Sequence, residues 1–317
     1  MQFASLPLLE RLGNAQRVLV AGCGGGYDVY AGLPLYFYLR KRVEAIFLAN
    51  LSFADLPQGI GRQLTPALTE IDADTEGPED YFPERALCRW FRGQGQEISV
   101  FCFKRTGVVT LRKAWEVLAE KLALDTVILA DGGTDSLMRG DEIGLGTPQE
   151  DLASIACVHF LKLPRKILTC LGFGVDTFDG VCHSDFLEAT AALQKKGAFL
   201  GAFSLLPQME ESQLFLQAVE HASQMMPACP SVVASSIASA VEGEFGDYHK
   251  TWRTKGNQLF ISPLMSMYWS YDVDAVARRC LYLKEIAQTK SYKELDQVVK
   301  DFRKKYPPHK TWRSIPY

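Results

Sequence analysis

The sequence predicts an α/β fold: a mainly parallel sheet with helices on both faces and a helical C-terminal part. Three observations carry this. Short apolar runs alternate with helix-length runs along most of the chain. Glycine-bearing turns follow directly on three of the apolar runs. The composition, 47% hydrophobic and 22% charged over 317 residues, is that of an ordinary globular chain. The length allows one large α/β domain or two smaller ones, and the chain is read as a single domain over residues 1–317.

Taken in order, residues 18–21 form a first strand and residues 29–39 a helix-like run. Residues 45–49 form a second strand that ends at Asn50. The stretch 56–92 breaks the rhythm with Pro57, Pro66, Pro78, Pro83 and an acidic run over 72–80, and reads as an insertion or lid-like loop. A third strand covers 97–103, and strands at 126–130, 166–171 and 198–204 follow helical runs at 111–122, 152–161 and 186–195. A second break, 225–263, holds a small-residue helical run at 231–241 and a polar stretch at 242–249. Residues 264–317 read as a helical extension packed on the domain, with amphipathic patterns at 273–288 and 292–305 stopped by Pro307-Pro308.

Charge and composition exclude several classes. A net charge of −3 speaks against a nucleic-acid surface, and the basic stretches 40–42 and 300–305 read as solvated helix faces. No segment is long and apolar enough to span a membrane. Residues 1–7 lack a basic start followed by an apolar core, so no secretory signal is expected and the location is read as cytoplasmic. Eight scattered cysteines, without C-x-x-C or zinc spacing, are expected to be reduced and mostly buried. Cys23 is the one candidate for a reactive thiol, although a small buried filler suits it better. The expected partner is a small-molecule ligand, and a homo-oligomer is compatible with the sequence.

The strand-to-helix junction at 17–34 is the first candidate site. Gly22, Gly24, Gly25 and Gly26 fall within five residues, just before a helix. Such a turn lets backbone approach a ligand, and the following helix turns free N–H groups toward it. The spacing lacks the third glycine of a dinucleotide fingerprint and the Lys-Ser/Thr of a phosphate loop. Asp28 suits the helix dipole as a cap, and equally could hold a ribose hydroxyl, an amine or a metal.

Two further strand ends carry carboxylates. Asp131-Gly132-Gly133-Thr134-Asp135-Ser136 follows one, and Gly172-Phe173-Gly174-Val175-Asp176-Thr177-Phe178-Asp179 follows another, with a helix starting near His183. In a parallel sheet these loops share one edge with Gly22–Asp28, which brings Asp28, Asp131, Asp135, Asp176 and Asp179 together. Like charges that close need a divalent cation, a cationic substrate or a shared proton. Mg²⁺ or another divalent cation suits such oxygen ligands, with Asp131 and Asp135 as candidate metal ligands. Taken singly, each Asp also fits a helix cap or turn. Asn50 sits where a strand end often meets a ribose, or simply starts a turn. His183 and His249 are candidate acid/bases, Arg139 could pair with Asp135, and 248–250 could close over the site.

The pattern G-x-G-G-G-Y/F-D-V-x-x-G-L-P, and D-G-G-T-D-S-L-x-x-G-D-E with T-P-x-x-D just after, covering 18–34 and 130–151, resemble the family catalogued as domain of unknown function 1152. That resemblance implies a Rossmann-like, doubly wound fold with its glycine loops at one edge, and no assigned reaction. The insertion at 56–92 is a place where the chain is expected to depart from its relatives.

The function expected from the residues is an enzyme acting on a ribose- or phosphate-containing small molecule, by hydrolysis or group transfer. Gly22, Gly24, Gly25, Gly26, Asp28, Asn50, Gly132, Gly133, Thr134 and Gly174 would bind the ligand. Asp131 and Asp135 would bind a metal or activate water, and Asp176 or His183 would handle the leaving-group proton. The alternatives are an S-adenosylmethionine-dependent methyltransferase, impaired by Asn50 where an acid is wanted, and a non-catalytic nucleotide or metabolite sensor.

Overall fold

The computed structural model describes residues 6–56, 60–308 and 310–313. Residues 1–5, on which the leader reading largely rests, and Pro57 of the expected insertion lie outside the described residues.

The chain begins with helix α1 (Pro7–Leu12), strand β1 (Arg17–Gly22), helices α2 (Asp28–Ala31) and α3 (Leu33–Leu39), and strand β2 (Ala45–Ser52). A hairpin of β3 (Arg62–Thr65) and β4 (Leu68–Ile71) precedes α4 (Pro83–Gly93) and β5 (Val100–Lys104). Then come α5 (Val108–Lys121), β6 (Thr126–Asp131), α6 (Pro148–Phe160), β7 (Arg165–Cys170), α7 (His183–Lys195) and β8 (Phe199–Ser204). Helices α8 (Glu210–Met225) and α9 (Val232–Glu242), strand β9 (Met267–Asp272), and helices α10 (Val273–Ala277), α11 (Leu283–Ile286) and α12 (Tyr292–Lys305) complete it.

Among the described residues the strands make one nine-stranded sheet in the order β3-β4-β5-β2-β1-β6-β7-β9-β8. Its centre, β5-β2-β1-β6-β7, is parallel throughout. Antiparallel strands flank it: β4 and β3 beyond β5, and β9 between β7 and β8. The expected α/β architecture, with a mostly parallel central sheet, is therefore the observed one. Strand β1 is the pivot, with β2 on one side and β6 on the other. The C-terminal ends of β1 and β6 thus flank the reversal in strand order, where such sheets leave a crevice.

Alternation along β1 explains the two-faced core. Leu19 and Ala21 join one apolar cluster, packed with Trp115, Ile155, Phe186 and Leu295 from α5, α6, α7 and α12. Val18 and Val20 join the other, with Phe37, Phe91, Phe215 and Ile237 from α3, α4, α8 and α9. A strand covered on both faces reads as a continuous apolar run, as 18–21 does.

Five expectations differ from the structure. The helix expected at 29–39 is broken at Gly32, where an added Cβ would meet Val20 Cγ1 at 2.5 Å, so only glycine lets this junction lie against β1. Strand β2 runs past Asn50 to Ser52, which puts Asn50 inside the strand. The stretch expected as a loop at 56–92 builds the β3–β4 hairpin and α4. Pro83 occupies the first helical turn, where a missing N–H costs nothing. The tail expected to be helical from 264 opens with β9, whose run Met267-Tyr268-Trp269-Ser270-Tyr271-Asp272 is aromatic-rich and suits a strand. The helix expected at 273–288 is two short ones, α10 and α11.

The eight cysteines are free, and all but Cys229 are buried. Among the described residues, no helix is long and apolar enough to cross a membrane.

Candidate functional site

Three loops meet at the carboxyl ends of β1, β6 and β7. Asp28 begins α2, Asp131 ends β6, Asp135 begins a 3-10 turn (Asp135–Leu137), and Asp176 lies in another (Val175–Asp179). A fourth contributor is Asp151, in the first turn of α6. One carboxylate oxygen from each of Asp28, Asp131 and Asp151 can be chosen so that all three lie within 4.8 Å of one another.

Each carboxylate is aimed by its own donors. Gly24 N–H donates to Asp28 Oδ2 at 2.6 Å. The Ser136 hydroxyl donates to Asp131 Oδ2. Thr134 donates its backbone N–H and its hydroxyl to Asp176 Oδ2, at 2.5 and 3.1 Å. Thr147 donates N–H and hydroxyl to Asp135 Oδ2, at 2.7 and 3.1 Å, and its hydroxyl also lies 3.2 Å from Asp151 Oδ2. Asp151 Oδ1 is buried and has no hydrogen-bond partner among the described residues.

The glycines are required by these acids. A Cβ on Gly24 would lie 2.6 Å from Asp151 Oδ1 and 2.9 Å from Asp28 Oδ2. On Gly132 it would meet Asp28 Oδ1 at 2.9 Å, on Gly133 Asp176 Oδ1 at 2.6 Å, and on Gly146 Asp135 Oδ2 at 2.1 Å. Gly22 clears Asn50 Oδ1 (2.1 Å), while Gly25 and Gly26 clear the ring of Phe53. The space the glycines leave open is thus taken up by the protein's own polar and aromatic side chains.

The electrostatics follow from burial. Burial, then the neighbouring Asp135 and Asp176, push the Asp28 carboxyl up to about 8 against the pull of the Gly24 and Gly132 N–H groups. Burial also raises Asp131, Asp135, Asp151 and Asp176, reinforced in each case by another carboxylate. Among the described residues, no lysine or arginine is a leading influence on any of the five. Such a set must hold protons or share a cation. The Cys23 thiol is fully buried and raised by burial and by Asp151, which makes it a filler and a poor nucleophile.

The other expected residues fall into place around this centre. Asn50 donates Nδ2 to Gly26 O and to Glu84 Oε1, both at 2.7 Å, so it ties β2 to the glycine loop and to the start of α4. Asp179 is exposed, yet near enough to Asp135 to raise it. The His183 ring packs on Phe173 (5.3 Å between centroids) and sits beside Gly174, whose added Cβ would be 2.7 Å from Nε2. Burial lowers His183, which favours the neutral ring, and among the described residues no hydrogen bond joins it to the acids. Arg139 pairs with Asp141, two residues on, instead of Asp135. His249 pairs with Asp247 and Thr254 within its own loop.

Sequence reasoning did not single out Asp151, Thr147 or Glu84. For Asp151 the signal was the T-P-x-x-D run: Thr147 precedes Pro148 at the first helical position, and Asp151 follows in the first turn. Glu84 directly follows Pro83 in the same kind of helix start, inside a stretch read as a loop.

Comparison with known proteins gives one result. No curated protein and no solved structure matches the chain. A family model described as "Protein of unknown function (DUF1152)" matches residues 63–303, a span that takes in most of the expected insertion, Asp131, Asp135, Asp151, Asp176 and His183, and begins after the glycine loop. The chain belongs to the DUF1152 family.

Proposed function

We propose that the protein is a divalent-cation-dependent enzyme that acts on a ribose- or phosphate-bearing small molecule, by hydrolysis or group transfer. The observation that carries this reading is the cluster of Asp28, Asp131 and Asp151 oxygens within 4.8 Å. Oxygen ligands on opposite sides of Mg²⁺ or Ca²⁺ stand about 4–5 Å apart. The unpartnered, buried Asp151 Oδ1 has the character of a ligand atom without its partner. The cation therefore falls to Asp28, Asp131 and Asp151, and Asp135, held by Thr147, moves from metal ligand to neighbour.

In this reading the cation binds an anionic oxygen of the substrate and polarises the bond to be broken. Asp135 and Asp176, whose carboxyls are raised by burial and by neighbouring acids, are the candidates to hold and pass on a proton. Asn50 does not serve the methyltransferase alternative, since its amide is committed to Gly26 and Glu84 and its oxygen faces Gly22.

The test is thermal melting with Mg²⁺, Mn²⁺ or Ca²⁺. A ligand at a hundred times its dissociation constant stabilises the native state by about 2.7 kcal/mol. Asp131→Asn and Asp151→Asn are expected to abolish the gain, and Asp135→Asn to keep most of it. A wild-type melting curve indifferent to all three ions would sink the proposal. A cation-supplemented screen of phosphate esters and nucleosides, with Asp131→Asn as the inactive control, then reads the chemistry.

A further inference from the structure

Beside the carboxylates lies a cavity of about 510 Å³, within the usual range for small-molecule sites. It opens at the carboxyl ends of β2 and β5, lined among others by Phe53, Asp55, Gln63, Lys104, Arg105 and Tyr292. Two links join it to the acid cluster. The Phe53 ring lies against the glycine loop, 2.7 Å from where a Gly25 Cβ would stand. On the opposite side, Glu150 accepts from the Tyr292 hydroxyl at 2.6 Å and stands 3.9 Å from Arg105, while the next residue, Asp151, belongs to the carboxylate cluster. Consecutive positions in one helical turn thus serve both places.

The lining is selective. The Arg105 guanidinium lies over the Phe53 ring at 4.7 Å and near the Tyr292 ring at 5.6 Å. The guanidinium and the two rings together make a partly apolar, planar wall against which a flat ring can lie. At 3.9 Å, Glu150 engages it only loosely, so Arg105 keeps N–H donors for an anion. Lys104 adds a second positive charge; among the described lining residues Asp55 is the one carboxylate, with Glu150 beside Arg105. Gln63 and Thr69 offer neutral donors and acceptors on the wall. Flat ring, neutral hydrogen-bonding edge and negative charge in one molecule describe a nucleotide.

We infer that this cavity binds a nucleoside phosphate, its base against the wall of Phe53, Arg105 and Tyr292 and its phosphate on the free N–H donors of Arg105 and on Lys104. The inference stands apart from the cation reading above, since the lining itself supplies the positive charge. Phe53 and the Arg105 side chain are more than a third exposed, so their replacement leaves the core intact.

Calorimetry with AMP, GMP, CMP and UMP, against ribose 5-phosphate and inorganic phosphate, tests it. At least one nucleotide is expected to bind the wild type about tenfold more tightly than ribose 5-phosphate, and Phe53→Ala and Arg105→Ala to lose about that tenfold, or 1.4 kcal/mol. Mn²⁺ binding, titrated alone, is expected to survive both substitutions and to vanish in Asp151→Asn. No nucleotide exceeding ribose 5-phosphate, or nucleotide affinity untouched by both substitutions, overturns the inference. A wild type that binds Mn²⁺ but no nucleotide overturns the pocket alone. One that binds a nucleotide through Phe53 and Arg105 but no Mn²⁺ supports the pocket and overturns the cation reading.

Discussion

Asn50 shows how one side chain can set the geometry of a site without facing a ligand. Its amide bridges Gly26 O and Glu84 Oε1 in a fully buried position, and burial raises the Glu84 carboxyl even against that bond. Asn50→Asp replaces the donor with a second acid beside Glu84. An uncompensated buried charge costs about 3 kcal/mol or more. The loss should be largest at neutral pH and smaller near pH 5, where the new acid can hold a proton; urea unfolding at the two values measures it, and equal losses would contradict the account. At this scale the sequence was informative where acids sit at a strand end or in the glycine-bearing loop after it, as at Asp131, Asp135 and Asp176. It did not single out Asp151 despite the T-P-x-x-D run, because an acid in a first helical turn looks the same whether it caps the helix or faces another acid 20 residues back in the chain.

Among the elements, α9 has the plainest local logic. Ser231 accepts from the Ala234 N–H at 3.0 Å, and Gly243 at φ 92° closes the other end. Val233, in the capped turn, stands 3.3 Å from where a Gly132 Cβ would lie, so this turn covers one side of the acid cluster. Ser231→Ala is expected to lower stability by about 1 kcal/mol in urea. It should also leave the amides of 232–234 exchanging faster with solvent; protection unchanged at those amides would argue against the cap. The periodic elements of the centre were legible because two-sided burial and amphipathic helices leave strong patterns. Elements were missed where the pattern was masked. Prolines over 56–92 suggested a loop, although Pro83 starts a helix and the hairpin needs only four residues a strand. Strand β9 was lost beside the helical pattern that follows it.

The molecule as a whole carries its buried acids as a pH-dependent load. Unfolded aspartates titrate near 3.9. In the folded protein Asp28 is raised to about 8, and Asp131, Asp135, Asp151 and Asp176 are raised as well. The folded state therefore binds more protons than the unfolded state across this window, so the stability tied to these protons is complete below about pH 4 and is lost as pH rises toward 8. Surface acids lowered by arginine or lysine partners, such as Asp74 and Glu210, act at lower pH and do not offset this. In chelator, the melting temperature is expected to fall between pH 5 and 8. Asp131→Asn should flatten the slope, and a divalent cation should restore most at the alkaline end, because it displaces the protons. A flat wild-type profile would mean that these acids stay ionised after all.

The position of β9 also has a consequence for how the chain is made. This strand, residues 267–272, lies between β7 and β8 and pairs with both. When β8 leaves the ribosome, its place in the sheet has no neighbour to hold it. More than sixty residues, including α8 and α9, must be synthesised before the gap can be filled. Until then β7 offers an open hydrogen-bonding edge, and the rest of the parallel core can be complete while that flank is not. A nascent chain stalled in this interval is the form of the protein most exposed to mispairing and to chaperones.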